Sequence, residues 1–120
     1  MDDSSIDISG WNTGPAQYIR IFTPTTQSEV GVSQRHTGVA GTGFRLVPVS
    51  SVDDNVRVIL IQTGYVRIEG VEIDGTSITN AQGLNAIRVT NAVPAVSDLR
   101  FDQLLIHDLA NGSTAGDVFV

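Results

Sequence analysis

The stretch YVRIEGVEIDG, Tyr65 to Gly75, decides the fold, because DLRFDQLLIHD, Asp98 to Asp108, echoes it further along the chain. Val66 matches Leu99, Arg67 matches Arg100, Ile68 matches Phe101 and Glu69 matches Asp102. Val71 then matches Leu104, and Ile73 matches Ile106. Apolar and polar residues alternate within each copy, the period of a β-strand with one buried face.

The same alternation runs outward from these copies. Six of the seven arginines sit between two apolar residues, as in Ile19-Arg20-Ile21, Phe44-Arg45-Leu46, Val56-Arg57-Val58 and Ile87-Arg88-Val89. In an extended strand each triplet turns its apolar pair to a core and its arginine outward. Strands are expected at Ser5–Ile8, Tyr18–Thr23, Phe44–Val49, Val56–Thr63, Val66–Ile68, Val71–Ile73, Ala86–Val89, Leu99–Phe101, Leu104–Ile106 and Val118–Val120. The one candidate helix, Asn80–Ala86, is short and carries Gly83. The chain therefore reads as all-β.

An antiparallel sandwich and a β-solenoid both fit strands at this density. A sandwich has no reason to repeat a strand pair together with its corners. A solenoid does, because the chain returns to the same face after each circuit and equivalent residues stack about 4.8 Å apart. The expected architecture has few coils, with a repeat of about 33 residues. Gly83 and Gly116 stand at the same spacing and extend the echo to the corners. The spacing thus predicts Ile68 against Phe101, Val71 against Leu104 and Ile73 against Ile106. Outside, Arg67 and Glu69 lie beside Arg100 and Asp102, with diagonal Arg–carboxylate contacts offsetting the like charges. Upstream of Tyr65 the register of the repeat fades.

Composition bounds the function classes. One domain, residues 1–120, is expected for this length, and an apolar fraction of 41% supports a core. Residues 1–17 read as an N-terminal cap. A net charge of −6 argues against a nucleic-acid partner. No apolar run reaches the ~18 residues of a membrane helix, so no membrane partner is expected. MDDSSIDISG lacks the basic and apolar regions of a signal peptide. The absence of cysteine excludes disulfides. All seven basic residues are arginine, which reads as genome composition; the functional alternative is planar, bidentate pairing with carboxylates.

YVRIEGVEIDG, a turn, AIRVT and SDLRFDQLLIHD together resemble right-handed parallel β-helix repeat proteins of the pectate-lyase-like superfamily. YIRIFTP, SQRHTGV and GFRLVPV resemble the opening coils of the uncharacterised bacterial, phage and environmental branch. The resemblance covers roughly Tyr18 to Val120. It implies a right-handed parallel β-helix, with an extracellular or virion-associated setting and polysaccharide as a partner. Members include lyases, hydrolases, tailspikes, adhesins and structural modules, so fold alone does not choose among them.

Pectate lyases of this fold use Ca²⁺ held by surface carboxylates and an arginine base. The corresponding residues are Glu69, Asp74 and Asp102 as calcium ligands, with Glu72 and Asp108 close by in sequence and Arg67 and Arg100 as base. Calcium takes about six to eight oxygens, which carboxylates on adjacent coils would supply in part. These residues are expected to form a solvated, charge-paired surface, with calcium binding as the alternative. The NTD, DD and GHG signatures of pectin hydrolases do not occur as a set; Asp53-Asp54 stands alone in SVDDN. No organic cofactor is expected.

His107 and Asp108 form an acid–base pair only if their side chains converge, and neighbours in a strand point apart. They are therefore expected at a surface corner. Arg35 and His36 in SQRHTG read as a loop fastened by hydrogen bonds, with anion contact as the alternative. Trp11 reads as a plug for one end of the stack, with a sugar-stacking platform as the alternative. The sequence stops at DVFV, inside an apparent core strand. Either the chain is part of a longer β-helix, or Val118, Phe119 and Val120 meet another copy of it. The expected role is a non-enzymatic structural or recognition module that binds polysaccharide or itself. A fragment of a Ca²⁺-dependent lyase is the alternative.

Overall fold

The structure is a computed structural model that describes residues 5–49, 55–78, 83–90, 93–109 and 118–119. Among these residues, ten strands and one short helix follow in order: β1 Ile6–Ile8, β2 Ile19–Phe22, α1 Gln27–Val30, β3 Arg45–Leu46, β4 Asn55–Ile61, β5 Val66–Glu69, β6 Glu72–Asp74, β7 Gly83–Val89, β8 Leu99–Asp102, β9 Leu105–His107 and β10 Val118–Phe119. Each expected strand has a counterpart, though the ends are shifted or shortened. The expected helix does not form, because Gly83 to Ala86 open β7; residues 80–82 lie outside the described residues. The helix that does form, α1, is a single turn with no apolar stripe to announce it.

The strands build three parallel sheets, ordered β1-β4-β7-β10, β2-β5-β8 and β3-β6-β9. The chain visits the sheets in fixed rotation, so β1–β3, β4–β6 and β7–β9 are three successive passes. Between the second and third passes Val66 pairs Leu99, Ile68 pairs Phe101 and Ile73 pairs Ile106, all at the spacing of the sequence echo. The echo is therefore a strand register. It carries into a corner as well: Gly70 has φ +70°, and Gln103, its counterpart on the next pass, has φ +49°. A left-handed residue turns the chain from β5 into β6 and again from β8 into β9.

Between the first and second passes the spacing is uneven. Ile19 pairs Val66, whereas Arg45 pairs Glu72, a much shorter reach along the chain. The cause is an insertion: residues 23–44 separate β2 from β3, whereas only Gly70 and Val71 separate β5 from β6. That insertion erased the repeat upstream of Tyr65.

Ile8, Leu46, Ile59, Ile61, Val66, Ile68, Val71 and Ile73 form the buried core. Full burial of one such side chain contributes about 1.5–3 kcal/mol. In β4, Val58, Ile59 and Ile61 are all fully buried, so both faces of this strand are covered. Arg57, expected to face solvent, is accordingly half-buried, and its Nε has no hydrogen-bond partner among the described residues. Phe101 departs in the other direction. Its side chain is 43% exposed because β8 is the outermost strand of its sheet among the described residues.

Candidate functional site

Two outward faces carry the polar residues singled out by the sequence. The first belongs to sheet β2-β5-β8. Arg20, Arg67 and Arg100 stack in register along it, one from each pass. Three like charges at strand spacing repel, and each finds a different offset. Arg20 forms a two-point contact with Glu69, Nε to Oε1 at 3.2 Å and Nη2 to Oε2 at 2.7 Å. It also lies 4.1 Å over the Phe22 ring. Arg67 lies 3.7 Å over the Tyr18 ring, a cation–π contact. Arg100 pairs with Asp98 at 2.7 Å. The Arg20 hydrogen bond holds the Glu69 carboxyl below its usual range, and Arg100 does the same for Asp98. The diagonal contact expected between second and third passes occurs instead between first and second.

Tyr18 and Phe22 remain exposed on this face. Beside Phe22 lies a hollow of about 200 Å³, lined by Phe22, Thr23, Pro24, Gln34 and Phe44. Trp11 is 66% exposed on the loop before β2, which overturns the plug reading. That loop is closed on itself by a Gly14–Gln17 bridge and tied to the body by Thr63 Oγ1 donating to the Trp11 carbonyl at 3.0 Å. These ties hold the backbone and leave the indole in solvent.

The insertion between β2 and β3 fastens Arg35 and His36. Arg35 donates to the Thr23 carbonyl and to Gln103 Oε1. His36 Nδ1 accepts the Gly38 N–H at 3.1 Å, so Nε2 carries the proton and donates to the Gln103 carbonyl at 2.7 Å. With those groups engaged, the pair works as a fastening. Arg35 crosses directly above Gly70, where a Cβ would collide with its Nε.

The second face belongs to sheet β3-β6-β9. Ile73 and Ile106 point to the core, so Glu72, Asp74 and His107 share the opposite side. Glu72 and Asp74 are nonetheless buried, at 0% and 4% exposure. Gly41, reaching over from the insertion, donates its N–H to Glu72 Oε1 at 2.8 Å. Arg45 reaches diagonally to Asp74 Oδ2 at 3.0 Å. His107 reaches diagonally back, Nε2 to Glu72 Oε1 at 2.9 Å. Asp74 Oδ1 accepts from the backbone N–H and hydroxyl of Thr76. Burial pushes the Asp74 carboxyl up, but Thr76, His107 and Arg45 together outweigh it and hold the group below its usual range.

His107 and Asp108 do converge, with Nδ1 2.7 Å from Asp108 Oδ2. The expectation that they point apart holds only for extended backbone. Asp108 has φ +54°, so the strand ends there and its side chain swings back beside the imidazole. Gly75 permits the turn: a Cβ on it would lie 2.6 Å from the Asp108 carbonyl oxygen. A carboxylate stands at each ring nitrogen, an arrangement that favours the protonated ring. The bonds to Asp108 and then Glu72 raise its pKa above the ordinary value.

One donor atom from each of Glu72, Asp74 and His107 lies within 4.8 Å of the other two. Asp74 is thus grouped with Glu72 and His107, while Glu69 and Asp102 lie in register on the other face. Neither Arg67 nor Arg100 belongs to this cluster. Asp53, Asp54, Gly116 and Val120 lie outside the described residues. Val118 and Phe119 pair with Leu84 and Asn85 at the outer edge of the four-stranded sheet.

Comparison with protein-family models, curated proteins and solved structures finds no match to this chain.

Proposed function

We propose that this chain is a segment of a right-handed parallel β-helix that serves as a structural and recognition module for acidic polysaccharide. The fixed rotation through three parallel sheets supports the β-helix reading. The observation that carries the recognition reading is the face of sheet β2-β5-β8. It offers exposed aromatic rings at Tyr18 and Phe22 beside three stacked arginines. Aromatic rings stack on the apolar faces of sugars, and guanidinium groups pair with uronate carboxylates in two-point contacts. Arg67 forms no ion pair or side-chain hydrogen bond with a carboxylate among the described residues; its guanidinium lies over the Tyr18 ring, and Glu69 and Asp98 act on it at longer range.

Affinity electrophoresis against polyuronates tests this directly. The expected result is retardation that Tyr18→Ala and Arg67→Ala each reduce several-fold. Unchanged mobility across a panel of acidic and neutral polysaccharides would remove the reading. No unsaturated, UV-absorbing product is expected, because Asp74 is buried in one sheet while Glu69 and Asp102 lie in another, so these carboxylates do not converge. A lyase-type Ca²⁺ enzyme would release such product.

A second reading, end-to-end assembly, is favoured by the half-exposed Phe101 on β8 and by the position of β10 at its sheet's edge. Light scattering across a concentration series, with and without calcium, decides it. A mass fixed at 12.8 kDa throughout would exclude assembly.

A further inference from the structure

The geometry points to a divalent transition-metal site, of Zn²⁺ type, formed by His107, Glu72 and Asp74, with Asp108 as the positioning residue. This goes beyond the recognition reading and is independent of it.

Two observations converge on a ligand. The first is the donor set itself, one imidazole and two carboxylates brought from β6 and β9 to within 4.8 Å of one another. Bound at ligand distances of about 2.0–2.1 Å, tetrahedral donors stand about 3.3 Å apart, so small side-chain movements close the site. The second is Glu72. It is fully buried, its Oε1 takes the bonds of Gly41 and His107, and its Oε2 has no partner among the described residues. A buried carboxylate oxygen without a partner is costly and rare, and a cation is what would satisfy it.

The surroundings match what a metal-bound histidine requires. Its second ring nitrogen ordinarily donates to a carboxylate, which fixes the tautomer and aims the other nitrogen at the metal. His107 Nδ1 meets Asp108 in this way, leaving Nε2 on the side of Glu72. Binding requires Nε2 free of a proton, and any proton displaced there passes to solvent. Three carboxylates, those of Glu72, Asp74 and Asp108, surround the site, and Arg45 pairs with Asp74. His107 is 19% exposed, so an ion has a route in. An imidazole among the donors favours Zn²⁺ over Ca²⁺ or Mg²⁺, which prefer oxygen alone.

The test uses the tag-free 120-residue chain stripped with EDTA, titrated calorimetrically with ZnCl₂ and followed by visible absorption with Co²⁺. One Zn²⁺ per chain is expected, and Co²⁺ should give the intense bands of a low-coordinate site. His107→Gln should weaken binding at least 10-fold. Asp108→Asn should weaken it about 10–100-fold and shift the Co²⁺ bands. Asp108 is exposed, so that variant should fold even where a substitution at buried Glu72 fails. Three outcomes would overturn the site: no saturable Zn²⁺ binding by the parent chain, binding unchanged in both variants, or a preference for Ca²⁺.

Discussion

Gly75→Ala places a methyl group where the third pass of the chain crosses the second. The new Cβ would stand 2.6 Å from the Asp108 carbonyl oxygen and 3.0 Å from its carbon. Ordinary contact begins at 3.4 Å, so the Asp108 backbone must withdraw by about 0.8 Å. Backbone atoms yield less readily than the end of a side chain, and forced overpacking of this kind costs about 1–3 kcal/mol. The same movement carries Asp108 away from the imidazole of His107, lengthening the 2.7 Å contact. Gly14→Ala is the control, because a Cβ there meets nothing within 4 Å. It should be neutral or raise stability by up to about 1 kcal/mol through the unfolded chain. Urea denaturation of both variants, with histidine ring signals followed by NMR, gives the two readouts. A Gly75→Ala variant as stable as Gly14→Ala, with the His107 signals unmoved, would refute the crossing geometry.

Ile68→Ala should cost about 2–5 kcal/mol in urea, whereas Phe101→Ala, half in solvent and leaving no closed cavity, should cost about 1–2 kcal/mol; equal costs would mean that something covers β8. In metal-free protein, the bonds of His107 to Asp108 and Glu72 should stabilise the fold fully below the unfolded histidine pKa, near 6.5. That contribution should fall away as pH rises through the higher folded value. His107→Gln should flatten this part of the stability–pH curve, and an unaltered curve would count against the imidazolium. Asp74, held low when folded, acts in the opposite sense, its contribution fading as pH drops below the ordinary carboxylate value of 3.8. A double-mutant cycle between Tyr18 and Arg67 should give a coupling of about 0.5–1 kcal/mol, and zero coupling would place the guanidinium off the ring.

The strands were legible because a strand's signal is local. Ile19-Arg20-Ile21 or Val66-Arg67-Ile68 shows its period within one triplet, and the echo of Val66 in Leu99 then gives the partner and register. The site was not legible, for reasons that are equally physical. Glu72 alternates with Val71 and Ile73 like any surface residue, and the contacts that meet its carboxylate, from Gly41 and His107, come from far along the chain. His107 and Asp108 obey strand alternation on paper, but one positive φ at Asp108 reverses the outcome. An aspartate preceded by LLIH carries no local mark of that turn. The exposure of Trp11 follows from a loop that closes on itself at Gly14 and Gln17, a contact without a hydrophobic signature. His36 and Arg35 were recognisable as a fastening, but their partner Gln103 was not, since nothing near them in the sequence names it.

That fastening bears on how the molecule comes apart. In stacked repeats each layer holds only its neighbours, so an end layer can peel away alone. Here Arg35 and His36 leave the first pass, cross Gly70 on the second and take hold of Gln103 on the third. The third pass therefore cannot fray without breaking a tie to the first. Nearest-neighbour energetics acquire a longer-range term, and amide protons of β8 and β9 should exchange in concert with those of β2, as one cooperative unit.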